Sequence, residues 1–186
     1  TATGVAGGAL GGLDLGASFS DAAGGTANWT FTDVTGNYNN ATGSVEVSIL
    51  KAPQSISWDR PDAISQGAAL GEDQLNAAAS VVGPAPAGTL SYDPPAGTVL
   101  DVGFHTLTVS AAETQNYLPA TASVELTVSG ATIVEDSLLI VGTNTDDNIV
   151  LSQFGRWHLV TANFLPGLLR TKSFSRTDYD RIEVYT

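Results

Sequence analysis

The 186-residue chain has no cysteine, no methionine, two histidines and only seven lysines and arginines. Without cysteine there are no disulfides and no thiolate metal sites, and the redox compartment stays open. Charged residues are 14% of the chain, where a globular domain carries about a quarter. The few basic residues face 19 Asp and Glu, for a net charge of −12. Such a chain repels the phosphates of nucleic acid and of anionic membrane surfaces, so neither is expected as a partner. No apolar run approaches the ~20 residues of a membrane-spanning helix. Thr1–Gly12 has neither the basic residues nor the continuous apolar stretch of a cleavable signal, and there is no initial Met, so a processed or excised segment is expected. The Gly-x-Ser-x-Gly, phosphate-loop and His-Glu-x-x-His patterns are also missing, and with them the usual nucleophile, phosphate and zinc signals.

What is abundant is Gly, Thr, Ser and Ala, together with a phrase that occurs twice. Asn37-Tyr38-Asn39-Asn40-Ala41-Thr42-Gly43-Ser44-Val45-Glu46-Val47-Ser48-Ile49 aligns without a gap on Asn116-Tyr117-Leu118-Pro119-Ala120-Thr121-Ala122-Ser123-Val124-Glu125-Leu126-Thr127-Val128, at an offset of 79 residues (117 − 38 = 79). A fixed offset over a long phrase is a tandem repeat. In each copy Asn-Tyr opens a tight turn. Val45, Val47 and Ile49, and likewise Val124, Leu126 and Val128, then alternate with polar residues, the period of a half-buried strand. Tyr38 and Tyr117 are expected to plug the end of the core with the hydroxyl on a backbone partner, as a tyrosine corner does.

Thr26–Thr32 reads as a strand whose Trp29 and Phe31 fill the core. Lys51-Ala52-Pro53 is a natural junction, since proline donates no ladder hydrogen bond. Gln54–Trp58, a strand around Leu70 and Leu75, Thr89–Tyr92, Thr98–Leu100 and His105–Ser110 follow, separated by turns such as Pro84–Gly88 and Pro94–Gly97. Roughly seven short strands punctuated in this way read as a Greek-key β-sandwich.

At the 79-residue offset, residues 1–50 match 80–129, with Gly4 on Gly83, Asp14 on Asp93 and Gly24 on Gly103. Trp29 and Phe31 need a one-residue slip to meet Leu107 and Val109. The first copy therefore lacks the counterpart of residues 51–79, which leaves ladder groups unpaired and a core open. The missing strands lie upstream, come from another subunit by strand addition, or are replaced by a different fold of the half-repeat. Residues 130–186 leave the repeat. Strands are expected at Leu138–Val141, Ile149–Leu151, Trp157–Val160, Phe174 and Arg181–Val184, and Arg156, Arg170, Lys172, Arg176 and Arg181 make this module the basic one, either a contact surface for the acidic repeats or a solvated face.

These phrases resemble a known family. Residues 1–50, with Thr-Ala-Thr-Gly-Val, Trp-Thr-Phe-Thr-Asp and Gly-Asn-Tyr-Asn-Asn-Ala, look like the latter part of an MBG-type bacterial immunoglobulin-like repeat. Residues 51–129, with Lys-Ala-Pro-Gln-Ser-Ile-Ser-Trp, Gly-Ala-Ala-Leu-Gly, Gln-Leu-Asn-Ala and Pro-Ala-Gly-Thr-Val-Leu, resemble a complete sister repeat. The resemblance implies β-sandwich spacers of secreted or surface-anchored proteins, often adhesins, without catalytic residues. Leu138–Ile149 is similar to the degenerate first turns of calcium-binding β-roll regions, though Gly-Gly-x-Gly-x-Asp turns are lacking.

The expected architecture is all-β: tandem immunoglobulin-like β-sandwiches, the first incomplete (1–50) and the second complete (51–129), then a short C-terminal β module (130–186). Trp29, Phe31, Tyr38, Trp58 and Tyr117 are its structural residues. Asp146, Asp147 and Asn148 offer oxygen ligands suited to calcium, but three adjacent ligands are too few for a cage, and a polar turn explains them as well. No other cofactor is expected. His105 and His158 read as strand residues. Carboxylate pairs such as Asp146/Asp147 and Asp178/Asp180 lack a pocket in which to act as acid and base. Lys51 has no local pattern for a side-chain isopeptide, and the sequons at Asn28 and Asn40 are of a kind that arises by chance in Asn/Thr-rich sequence. The expected function is a non-enzymatic extracellular or cell-surface structural and adhesive segment. Its partners are neighbouring repeats or copies of itself, with a strand-complemented filament and a surface-glycan-binding module as alternatives.

Overall fold

The computed structural model describes residues 11–186. The expectations attached to Thr1–Val5, Gly4 among them, lie outside the described residues. Within them there is no helix and about 47% of the chain is strand, an all-β fold. The strands are β1 (Leu13–Asp14), β2 (Gly25–Phe31), β3 (Ala41–Val47), β4 (Ser55–Ser57), β5 (Ile64–Ser65), β6 (Ala78–Ser80), β7 (Leu90–Asp93), β8 (Gly103–Ala111), β9 (Ala120–Val134), β10 (Ser137–Val141), β11 (Ile149–Phe154), β12 (Trp157–Ala162), β13 (Thr171–Ser175) and β14 (Arg181–Tyr185).

The first copy is a three-stranded antiparallel sheet, β1-β2-β3. Trp29 stands opposite Gly43, and a Cβ there would lie 2.5 Å from the indole Cζ2, so the glycine is what lets the ring lie flat across β3. In the second copy β7, β8 and β9 form the corresponding antiparallel array, with β5 parallel against β9 and a separate β4-β6 pair. Leu107, Val109 and Ala111 alternate inward along β8 and are buried. Leu107 and Leu126 join Leu70 in a core that Trp58, Ile64 and Leu75 cover. The residues of 51–79 thus close this half of the molecule.

Two expectations shift. Gly25 pairs with Val47 and His105 with Leu126, so the β2–β8 offset is 80 residues where the following strands differ by 79. Trp29 therefore takes the place of Val109, and Phe31 that of Ala111, rather than those of Leu107 and Val109. The extra residue sits in the β2–β3 connection, 32–40 against 112–119. A displacement of two residues keeps the same side chains inward, because the strand period is two. Leu70 and Leu75, read as a strand, belong instead to a bridge and a turn. Leu70 exchanges backbone hydrogen bonds with Thr98 and Gly97, and Leu75 N–H donates to Gly71 O, yet both side chains still reach the core.

The junction at 129/130 falls inside a strand. β9 runs on to Val134, turns through Glu135 (φ 51°) and returns as β10. Leu126–Ala131 is buried without alternation, because both faces are covered. Ser129 Oγ donates to Ile64 O at 3.1 Å on one side, and a Cβ on Gly130 would lie 2.7 Å from Val102 Cγ2. β14 adds to β10 in parallel, and β11-β12-β13 form a second antiparallel sheet. Leu138, Ile140, Val160, Phe174 and Tyr179 make the module's own core.

Candidate interaction sites

The repeated Asn-Tyr does different work in its two copies. Tyr117 is 4% exposed and bridges to Ala52. Its N–H donates to Thr114 Oγ1 at 3.1 Å while Thr114 N–H donates back to Tyr117 O. The hydroxyl lies against Gly83, 2.5 Å from where a Cβ would be. The main chain of Tyr117, rather than its hydroxyl, carries the backbone hydrogen bonds. Tyr38, in the first copy, is 39% exposed. Its turn is held by Asp33, whose carboxylate accepts from Thr35 N–H, Thr35 Oγ and Tyr38 N–H. Those bonds favour the charged form and hold Asp33 down at about 2.

The same contrast runs along the sheet. Trp29 is half-buried and Phe31 buried, yet Val45, on the same face, is 56% exposed, where its counterpart Val124 packs on the second core. Trp58 is tied down on both sides. Its Nε1–H donates to Gln74 O at 3.1 Å, and its ring meets Tyr92 edge-on with centroids 5.5 Å apart.

Asn116 is the joint between the copies. Its Oδ1 accepts from Ala22 N–H at 2.6 Å and its Nδ2–H donates to Asp21 Oδ1 at 2.8 Å. Lys51 pairs with Glu113 at 2.6 Å and also donates to Thr114 O, so its amine is engaged in an ion pair. Gln54, which the sequence did not single out, is buried with its amide fully used: Nε2–H donates to Ala112 O and Leu118 O, and Oε1 accepts from Gly88 N–H. Its signal is a lone amide at the start of the alternating Gln54–Trp58 segment.

A second joint links the repeat to the C-terminal module. Lys172 Nζ–H donates to Gln66 Oε1 at 3.0 Å and to Ala131 O at 2.7 Å, 5.5 Å from the Phe174 ring centroid. Burial pushes its amine below the usual lysine range. An open cleft of about 540 Å³ is lined by Arg60, Phe104, Thr127, the 141–146 turn and Tyr185.

The three oxygen-ligand candidates surround this turn and serve different purposes. Asp147 accepts from Thr143 N–H and Thr143 Oγ, each at 2.8 Å. Asn163 clamps Asp146 O and Asn148 N–H. Asp146 is exposed and lines the cleft. Among the described residues no three His, Asp or Glu side chains gather within reach of one metal ion. His105 Nε2 bonds Asp101 O at 2.8 Å, and His158 Nδ1 is bonded to the buried Tyr179 hydroxyl. Burial is the leading cause that pushes this phenol up. Trp157 sits half-exposed at the tip of the β11–β12 hairpin with Phe154. Comparison with protein-family models, curated proteins and solved structures found no match.

Proposed function

We propose that this chain is a non-enzymatic structural and adhesive segment of an extracellular or cell-surface protein, built from MBG-type immunoglobulin-like repeats whose sandwiches space one end from the other. The observation that carries the reading is how the units are coupled. Asn116 ties the first copy to the second, and the single strand β9 runs from the second copy into the C-terminal module. Tension along such a chain passes through many lateral hydrogen bonds of ~1 kcal/mol net each, strained together rather than in turn. The phrase that defines the repeat supplies this coupling, which is what a spacer needs and an active site does not. Antibody labelling of intact cells that express the chain tests the reading. Surface signal removed by external protease is the expected result, and signal only after lysis overturns it.

A second reading has its own observation. Tyr38 and Val45 are exposed where Tyr117 and Val124 are covered, and Trp58, Ile64, Leu70 and Leu75 of 51–79 belong to the core on which Val124 packs. In this reading the β1-β2-β3 face receives a segment patterned like Trp58, Ile64, Leu70 and Leu75, and between subunits that addition builds a filament. An added peptide of residues 51–79 that leaves Trp29 fluorescence unchanged counts against it.

A further inference from the structure

We propose that the cleft between β8 and the 143–146 turn is a binding site for a neutral saccharide, a role separate from the spacer reading. One wall is aromatic. Phe104 and Tyr185 meet edge-to-face, centroids 5.7 Å apart at 83°, and remain 55% and 46% exposed. Phe104 stands on the outward face of β8 beside Thr127, so the core does not account for its size. A pyranose has an apolar face of C–H groups that lies on such a ring, and a rim of hydroxyls that needs planar polar partners.

Polar partners line the same cleft. Arg60 is one of only two basic residues before position 130, and the other, Lys51, is paired with Glu113. The Arg60 guanidinium donates once within the protein, to the buried Thr127 Oγ1 at 3.3 Å. Among the described residues it has no carboxylate partner. That single bond orients the fork and leaves its remaining N–H groups free. Asp146 offers an unpaired acceptor, and Asn144 a donor and an acceptor together.

The turn that carries them is set before any ligand arrives. Asp147 holds Thr143, Asn163 holds both Asp146 and Asn148, and a Cβ on Gly142 would collide with Asp147 Oδ2. Binding then orders little, which preserves affinity. The volume of about 540 Å³ lies in the range of ligand clefts, which favour such junctions (about 300–1,000 Å³). One guanidinium faces one carboxylate, and the chain carries −12, so a polyanionic glycan is disfavoured.

The test uses the full chain, ¹⁵N-labelled, with cellohexaose, maltohexaose, xylohexaose and mannohexaose as neutral probes and hexagalacturonate as the acidic one. At about 10 mM a site with Kd near 1 mM is mostly filled. At least one neutral probe is expected to move the amides of Phe104, Asn144 and Tyr185. Phe104→Ala and Arg60→Ala, both at exposed positions, are expected to weaken it by about tenfold each, and Trp157→Ala to leave it unchanged. Absence of cleft shifts with all four neutral probes, a preference for hexagalacturonate, or binding that survives both cleft substitutions overturns the proposal.

Discussion

Leu126 and Val47 occupy the same place in the repeated phrase, and truncating each to alanine has very different consequences. Leu126 is fully buried against Leu70 and Leu107. Leu126→Ala removes three carbons at ~0.8 kcal/mol each. The cavity left in a core closed on both sides raises the cost to about 3–4 kcal/mol. Val47 is half-buried in a sheet whose face the described residues cover only in part. Val47→Ala removes two carbons, of which about half the transfer value applies, for about 0.8 kcal/mol. Urea unfolding followed amide by amide by NMR reads both copies in one sample. The β8–β9 amides of Leu126→Ala should unfold at much lower urea, while the β2–β3 amides of Val47→Ala shift slightly. A cost under about 1 kcal/mol for Leu126→Ala, or an equal cost at the two positions, refutes the reasoning.

Three further outcomes are expected. Gly130→Ala places a Cβ 2.7 Å from Val102 Cγ2 and 3.0 Å from Gln66 Cβ, so it should cost about 1–3 kcal/mol in calorimetry; an unchanged melting temperature contradicts the tight joint. Asp33 has a folded pKa of about 2 against an ordinary 3.8, so the stability it lends the 33–38 turn is present above the ordinary value and lost as pH falls through the folded one. The Thr35 and Tyr38 amide shifts should titrate near 2, and a midpoint near 3.8 would falsify the capping role. β11 is an edge strand, Ile149-Val150-Leu151-Ser152-Gln153-Phe154, without a charge or proline. Leu151→Lys should lower light scattering in concentrated solution with the melting temperature unchanged, and equal scattering removes the edge as a route to association.

The alternating strands were legible because each buries one face: Val124, Leu126 and Val128 announce themselves by period two, and so does His105–Ser110. The C-terminal strands were legible as short apolar runs. What the sequence hid has physical causes. The Ser129-Gly130 pair reads as a break, yet the glycine is there because Val102 and Gln66 crowd the strand, and so β9 passes through an apparent boundary. The β2–β8 offset was misjudged because a loop absorbs one residue without changing which side chains face inward. Leu70 and Leu75 read as a strand but lie beside a bridge and in a turn, with both side chains in the core, since burial does not require a ladder. The Phe104–Tyr185 wall joins residues 81 positions apart (185 − 104 = 81), and no local pattern encodes a contact of that range. Asp147 accepts from Thr143 N–H and Oγ, a cap that composition alone does not separate from an ion ligand.

The claim on which the account rests is that, among the described residues, the face of the repeat phrase is covered in its second copy and covered only in part in its first. Amide hydrogen exchange on the intact chain tests this most directly. The account predicts that β8 and β9 amides exchange only through global unfolding while those of β2 and β3 exchange orders of magnitude faster, by local opening. Equal protection in the two pairs would contradict it.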